Sequence, residues 1–150
     1  MSHQSARVWS TAVSHNESTG RAMILRYVDE LAADFSKSSL PVRVVVVWNY
    51  ESDTGMPATD ERQRMDLMED ALEPVIEASG IAILAIVVTG EGGREWTYFA
   101  RSEREFLAGL NQVLSGQPPF PIEIHVNDDP EWFAYDDFRA AWLTPGTEPS

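Results

Sequence analysis

Runs of apolar and β-branched residues predict the strands of this chain. Residues 42–50 and 81–88 are apolar almost throughout, which is typical of central strands covered on both faces. Between residues 122 and 126 apolar and polar positions alternate, as in a strand with one buried and one solvated side. Three further strands are expected, at residues 7–13, 22–27 and 94–100. Residues 14–20 and the glycine-rich residues 90–93 read as hairpin connections between them.

Helical periodicity predicts two long amphipathic helices. The first begins near Asp60, which has the capping-box spacing with Gln63, and Pro74 should kink it or end its regular part. Its apolar stripe consists of Met65, Met68, Leu72, Val75 and Ile76. Its opposite face carries Glu61, Asp66, Glu69, Asp70, Glu73 and Glu77. The second helix begins at Ser102, with Glu105 completing a capping box.

Two shorter helices are expected. Residues 29–37 have apolar side chains at helical spacing over barely two turns, which favours a short connector helix. The aromatic segment 128–142 predicts a helix that lies back over the domain, capped by Asp128 or Asp129, with Pro130 and Glu131 in its first turn.

From residue 42 onward the order is strand, helix, strand, strand, helix, strand, which is the split βαβ or ferredoxin-like arrangement of an α+β fold. We expect an antiparallel sheet that the N-terminal β-hairpin widens. Both crossover helices fall on one face, so the aromatic C-terminal segment or a second protein molecule must cover the other. The sequence predicts a single domain over residues 1–143 and a disordered tail over 144–150.

Composition narrows the classes of function. The chain has 150 residues, a net charge of −13 and no cysteine, so thiol catalysis and zinc-thiolate sites are excluded. The acidic surplus argues against nucleic-acid and membrane-surface binding, since both need excess Lys and Arg. The longest apolar run, 81–88, is far shorter than the roughly 20 residues of a membrane-spanning helix. We therefore expect a soluble, cytoplasmic protein.

No motif assigns a catalytic residue, a cofactor or a metal. The glycines at 90–93 precede a strand rather than a helix, so they lack the context of a phosphate-binding loop. A calcium loop beginning at Asn127 would need Gly and Glu where Trp132 and Phe138 stand. An enzyme using carboxylates around His125, Asp128 and Asp129, with or without a divalent metal, remains an alternative.

Aromatic residues close to acidic ones indicate a surface for a protein partner. Large aromatics supply buried area first, but Trp and Tyr also dominate interface hot spots. Arg43 and Arg94 are rare cations on apolar strands. Each is interpreted as the partner of an acid such as Asp129 or, alternatively, as an anion ligand. The residues predicted to contact a partner are Trp48, Tyr50, Arg94, Asp128, Asp129, Glu131, Trp132 and Tyr135.

Several landmarks resemble a bacterial family known as domain of unknown function 695. They are Trp9, Trp48-Asn49-Tyr50, Met56-Pro57, Glu69-Asp70-Ala71-Leu72, Gly93-Arg94-Glu95-Trp96-Thr97-Tyr98 and, most distinctively, Asp128-Asp129-Pro130-Glu131-Trp132-Phe133-Ala134-Tyr135. The resemblance implies no established reaction. Some members are joined to a domain similar to a regulator of ribonuclease E, which favours regulatory binding over catalysis by analogy.

Three functions follow as hypotheses. The first is a non-enzymatic acidic module that binds or regulates a basic protein, for example as an inhibitor or an immunity protein. It depends on the charge of −13, which would steer a cationic partner, although solubility alone would also explain that charge. The second is the carboxylate- or metal-dependent hydrolase-like enzyme. The third is a structural homodimer, joined through the sheet face that the helices leave bare.

Overall fold

A computed structural model describes residues 7–31, 35–117 and 119–143 of the chain. Its strands are β1 (Arg7–His15), β2 (Ala22–Leu31), β3 (Val42–Asn49), β4 (Ala82–Gly90), β5 (Gly93–Ala100) and β6 (Ile122–Asp128). Its helices are α1 (Thr59–Leu72), α2 (Glu103–Leu114) and α3 (Phe133–Leu143). The predicted tail, 144–150, lies outside the described residues. No helix within the described ranges is long and apolar enough to cross a membrane.

The six strands form one sheet in the order β1-β2-β4-β5-β3-β6, and every neighbouring pair is antiparallel. The four strands from β3 onward have the order expected for a split βαβ unit, with α1 and α2 as the crossovers. The hairpin β1–β2 extends this unit at the β4 edge, where Ile24 pairs with Thr89 and Tyr27 with Ile86. The predicted α+β fold is therefore confirmed.

The main core lies between the sheet and the crossover helices. Alternate residues of β3 point into it, because side chains of a strand alternate between the two faces. Trp48, Trp96, Met65, Phe106 and Leu110 are buried there.

A second core covers the opposite face, and it is the aromatic C-terminal segment that covers it. Trp132, Tyr135 and Phe138 are buried against β2, β4 and β5. The indole of Trp132 stacks on the ring of Phe99, with centroids 4.1 Å apart and planes 12° from parallel. Because residues 132 to 138 supply these contacts, α3 and the turn before it close the part of the sheet next to the hairpin.

The connector helix predicted over 29–37 is wrong. Residues 29–31 belong to β2, where Glu30 pairs with Val8 and Leu31 with Arg7 beyond a bulge. The next helical turn is a short 3-10 turn at Lys37–Ser39, and residues 32–34 lie outside the described ranges. Two turns of weak periodicity cannot offset the cost of helix nucleation, whereas pairing with β1 continues a ladder already formed.

The N-terminus of α1 also differs from the prediction. The residue before it is Ala58, whose side chain makes no cap, so the Asp60–Gln63 capping box is wrong. Asp60 lies in the first turn, where a carboxylate interacts favourably with the positive end of the helix dipole. The prediction for Pro74 is confirmed, since the regular helix ends at Leu72 and continues as a π-helical turn.

Two other local predictions are confirmed. Ser102 caps α2, because its hydroxyl accepts the backbone N–H of Glu105. The chain reverses between β4 and β5 at Glu91 and Gly92, which both have positive φ (52° and 81°), as the tight hairpin turn requires.

Candidate functional site

A charged cluster joins α1 to the sheet beside the N-terminal hairpin. Arg94 is 8% exposed; its Nε donates to Thr89 Oγ1 at 2.8 Å and its guanidinium pairs with Asp66 at 3.0 Å. Glu69 Oε1, one helical turn after Asp66, accepts from Trp96 Nε1 at 2.8 Å and from Arg26 at 2.5 Å. Two carboxylates of one helix thus hold two arginines that lie on different strands.

The cluster opens into a cleft of about 140 Å³ between α1 and the hairpin. It is lined by Thr11, Ile24, Arg26, Asp66, Val87, Thr89 and Arg94. Its two guanidinium groups are each matched by a carboxylate, so an anion would have to compete with Asp66 and Glu69. The ion pair predicted between Arg94 and an acid is confirmed, but the acid is Asp66 rather than Asp129, which was the example given.

The other strand cation, Arg43, lies on the opposite face of the sheet. It is half-buried, and among the described residues its Nε has no hydrogen-bond partner. Within the described ranges Arg43 forms no ion pair, so the pair expected with an acid such as Asp129 is not found there.

The acidic segment after β6 forms a helix cap. The two carboxylate oxygens of Asp129 accept the backbone N–H groups of Phe133 and Ala134, at 2.8 and 3.0 Å. Asp129 is thus the predicted cap of α3, but Pro130 and Glu131 precede the helix rather than forming its first turn. A carboxylate held by two backbone donors satisfies the free N–H groups of a helix start.

The three residues of the alternative enzyme site are not gathered around one point by any contact of the structure. His125 is exposed and lies 3.8 Å from the carboxylate of Glu123, as its pattern on β6 predicts. Asp128 is exposed and Asp129 is buried under α3. Within the described ranges, no group of three or more His, Asp or Glu side chains is arranged to hold a metal ion.

The aromatic residues predicted to contact a partner are mainly core residues. Trp48 is buried, and its indole N–H donates to Glu61 at 2.6 Å. The Nε1–H of Trp132 is shared by the carbonyl oxygens of Lys37 and Leu40, at 3.1 and 3.0 Å. The hydroxyl of half-buried Tyr50 donates to the carbonyl of Gly55 at 2.6 Å.

The predicted partner-contact residues lie on both faces of the sheet. Trp48, Tyr50 and Arg94 are on the α1 side, whereas Trp132 and Tyr135 are on the α3 side. Asp128 and Glu131 are the two that are exposed. The structure does not assemble the eight residues into one surface, and their contact with a partner stays a prediction.

Burial changes the acidity of two tyrosines. It raises the pKa of Tyr135 above the ordinary value, and the positive charge of Arg139 opposes part of that rise. The Tyr135 hydroxyl donates a hydrogen bond to the carbonyl of Val28, which connects α3 to β2. Burial also raises the pKa of Tyr50, with Arg94 opposing.

The acidic face predicted for the first helix is less solvated than expected. Glu61 and Glu69 turn to the indoles of Trp48 and Trp96, and buried Glu77 accepts the backbone N–H of Leu84 at 3.0 Å. The signal for the first two contacts was their spacing: Glu61 lies four residues before Met65 and Glu69 four residues after it, so both acids are on the side of the apolar stripe rather than opposite to it.

The comparisons with known proteins add a family. No curated protein matches the chain. The model of DUF695, described as a family of unknown function, matches residues 7–139. This match covers most of the chain, including every residue of the charged cluster and the cap, and the chain belongs to the DUF695 family.

Proposed function

We propose that this protein is a non-enzymatic module that binds a basic protein and regulates it, as an inhibitor or an immunity protein does. The observation that supports the proposal is the excess of carboxylates over cations after the ion pairs within the chain are taken into account. The chain has 11 Lys and Arg against 24 Asp and Glu. In the part of the chain that the structure describes, six of those cations pair with carboxylates: Arg21, Arg26, Lys37, Arg94, Arg101 and Arg139. The carboxylates left over greatly outnumber the cations left over, so the surface attracts cationic partners.

The exposed side of α1 and its π-helical turn supports this proposal best. Four carboxylates there are exposed, and Leu67 among them is 53% exposed. We call this set the acidic face of α1: Asp60, Asp66, Leu67, Asp70 and Glu73. A basic partner that carries an apolar side chain complements such a surface, since charge speeds encounter and apolar contact slows dissociation.

The nearby cations neutralise the acidic face of α1 only in part, since Arg94 pairs with Asp66 and exposed Arg62 lies on the same helix. The guanidinium of Arg64 lies over the rings of Trp48 and Phe120, 5.3 and 5.5 Å from their centroids, and its head donates to the carbonyl of Pro119. Arg94 is buried beneath Asp66. The outward charge of this helix is therefore negative, which supports a cationic occupant.

A pull-down with matched variants tests the proposal. The immobilised chain is exposed to the lysate of its source cell, washed at low and then at high salt, and the eluates are identified by mass spectrometry. We expect one basic protein in stoichiometric amount, released by salt. The variant Asp60→Asn, Asp70→Asn, Glu73→Gln should retain much less of it, because it removes three charges from the acidic face.

The control removes three exposed carboxylates from other parts of the chain, through Glu17→Gln, Glu103→Gln and Glu123→Gln. It has the same net charge as the α1 variant, so it should bind nearly as well as the natural chain. Loss of the partner by both variants alike would show a non-specific charge effect, and absence of any basic partner would contradict the proposal.

A further inference from the structure

β1 is an outer strand with little protection against pairing. It runs for nine residues, and its outer edge pairs with no other strand of the described chain. Natural edge strands are usually shielded by proline, lysine or other charges. The opposite edge strand, β6, follows Pro121 and exposes Glu123 and His125. Between its end residues, Arg7 and His15, β1 has only uncharged residues and no proline.

The hairpin also concentrates exposed apolar surface. Six large apolar side chains are exposed among the described residues, and four of them are on β1 or β2: Val8, Trp9, Val13 and Ile24. Trp9 lies on the α1 side of the sheet, where Arg26 stacks on its ring with its guanidinium carbon 5.6 Å from the centroid. Thr11 and Val13 share this side because they follow at intervals of two. Trp9, Val13 and Ile24 are the exposed apolar side chains on this side, and such a group marks an interaction surface.

We propose that β1 pairs antiparallel with β1 of a second copy, with Thr11 opposite Thr11. In this register Trp9 of each copy faces Val13 of the other, and aromatic to β-branched pairs and Thr–Thr pairs are favourable across antiparallel strands. The edge is therefore complementary to itself. The six strands of each copy join into one continuous sheet, and a two-fold axis perpendicular to that sheet places the two acidic faces of α1 on the same side.

Charge favours a second copy at this edge despite the total of −13. Residues 7–31 contain three arginines and three acids and no lysine, so the hairpin is balanced. The acids of the hairpin are Glu17, Asp29 and Glu30, and its arginines are Arg7, Arg21 and Arg26. The surplus of negative charge belongs to other elements, so repulsion between two copies is weakest where β1 meets β1.

Sedimentation of the purified chain tests the pairing without any other protein, so the result is independent of the proposed basic partner. The natural chain at high micromolar concentration should sediment with twice its mass of 16.8 kDa. Thr11→Lys and Thr11→Glu should each be monomers, because each sets like charges directly opposite one another. An equimolar mixture of the two should again be dimeric, since Lys then faces Glu. Circular dichroism checks that both variants fold, and Gln112→Lys, at an exposed position of α2, serves as the charge control.

Each other result overturns the inference. A monomeric natural chain refutes the dimer. A dimer that persists in Thr11→Lys refutes the β1 edge as its interface. If Thr11→Lys and Thr11→Glu are monomeric both separately and when mixed, the register that places Thr11 opposite Thr11 is refuted.

Discussion

Truncating Trp132 should loosen the whole second core. Its indole is fully buried, stacks on Phe99 and donates to the carbonyl oxygens of Lys37 and Leu40. Replacing a buried Trp by Ala costs about 3–5 kcal/mol. That is a large part of the roughly 5–15 kcal/mol that stabilises a typical domain. Trp132→Phe keeps an aromatic ring but leaves the carbonyls without their donor, so it should cost about 1–3 kcal/mol.

The backbone at Trp132 gives a second, independent expectation. Its φ is +61°, in the left-handed region that costs an L-residue roughly 1–2 kcal/mol and glycine almost nothing. Within a helix or a strand, glycine is usually less stable than alanine. Here Trp132→Gly should be at least as stable as Trp132→Ala, because the glycine relieves the strained backbone.

Urea denaturation followed by circular dichroism measures these differences. The neighbouring Phe133 is 61% exposed, so Phe133→Ala is the matched control, with an expected change of under about 0.5 kcal/mol. If Trp132→Ala cost no more than this control, the claim that Trp132 holds α3 on the sheet would be refuted. Hydrogen exchange distinguishes undocking of α3 alone from unfolding of the whole domain, because undocking alone would leave the amides of β3 and β5 protected.

Three further predictions concern the cap, the buried arginine and the response to alkali. Asp129→Ala should lower the free energy of unfolding, measured by thermal denaturation, by about 1–2 kcal/mol because α3 loses its cap. Asp128→Ala, at the exposed neighbouring residue, should change it very little. Equal losses in the two variants would contradict the role of Asp129 as the cap. Asp66→Ala should lower the free energy of unfolding in urea by about 1–3 kcal/mol, because it leaves buried Arg94 without its carboxylate. In an Arg94→Met background the same substitution should cost under about 0.5 kcal/mol. Equal costs in both backgrounds would refute the coupling. Burial raises the folded pKa of Tyr135, so its stabilising contribution is complete below the unfolded tyrosine pKa and is lost as pH rises through the folded pKa. Stability measured across alkaline pH should therefore fall above the ordinary tyrosine pKa of about 10, and less steeply in Tyr135→Phe.

Much of the fold was predictable because its signals are local. The apolar strands, the Ser102 cap, the turn at residues 90–93 and the effect of Pro74 each depend on a few adjacent residues. The order of these elements then restricts the topology to the split βαβ unit. The prediction for residues 29–37 was wrong because pairing with β1, a strand that lies earlier in the chain but is next to β2 in the sheet, outweighed a weak helical pattern.

The candidate site was less predictable because its contacts join distant residues. Nothing in the pattern of β5 distinguishes Asp66 from the other acids as the partner of Arg94, since 24 carboxylates were available. Likewise, two covers were possible for the second face of the sheet, the aromatic C-terminal segment or a second protein molecule. No local pattern in the sequence distinguishes them. The packing of Trp132 on Phe99 identifies the C-terminal segment.

The most direct test of the central claim is the rate at which the captured basic protein associates with the chain, measured at several salt concentrations. If the acidic face of α1 steers the partner, the association rate should fall by about tenfold or more as salt rises. The variant Asp60→Asn, Asp70→Asn, Glu73→Gln should start slower and depend less on salt. An association rate that changes with neither salt nor these substitutions would contradict the account.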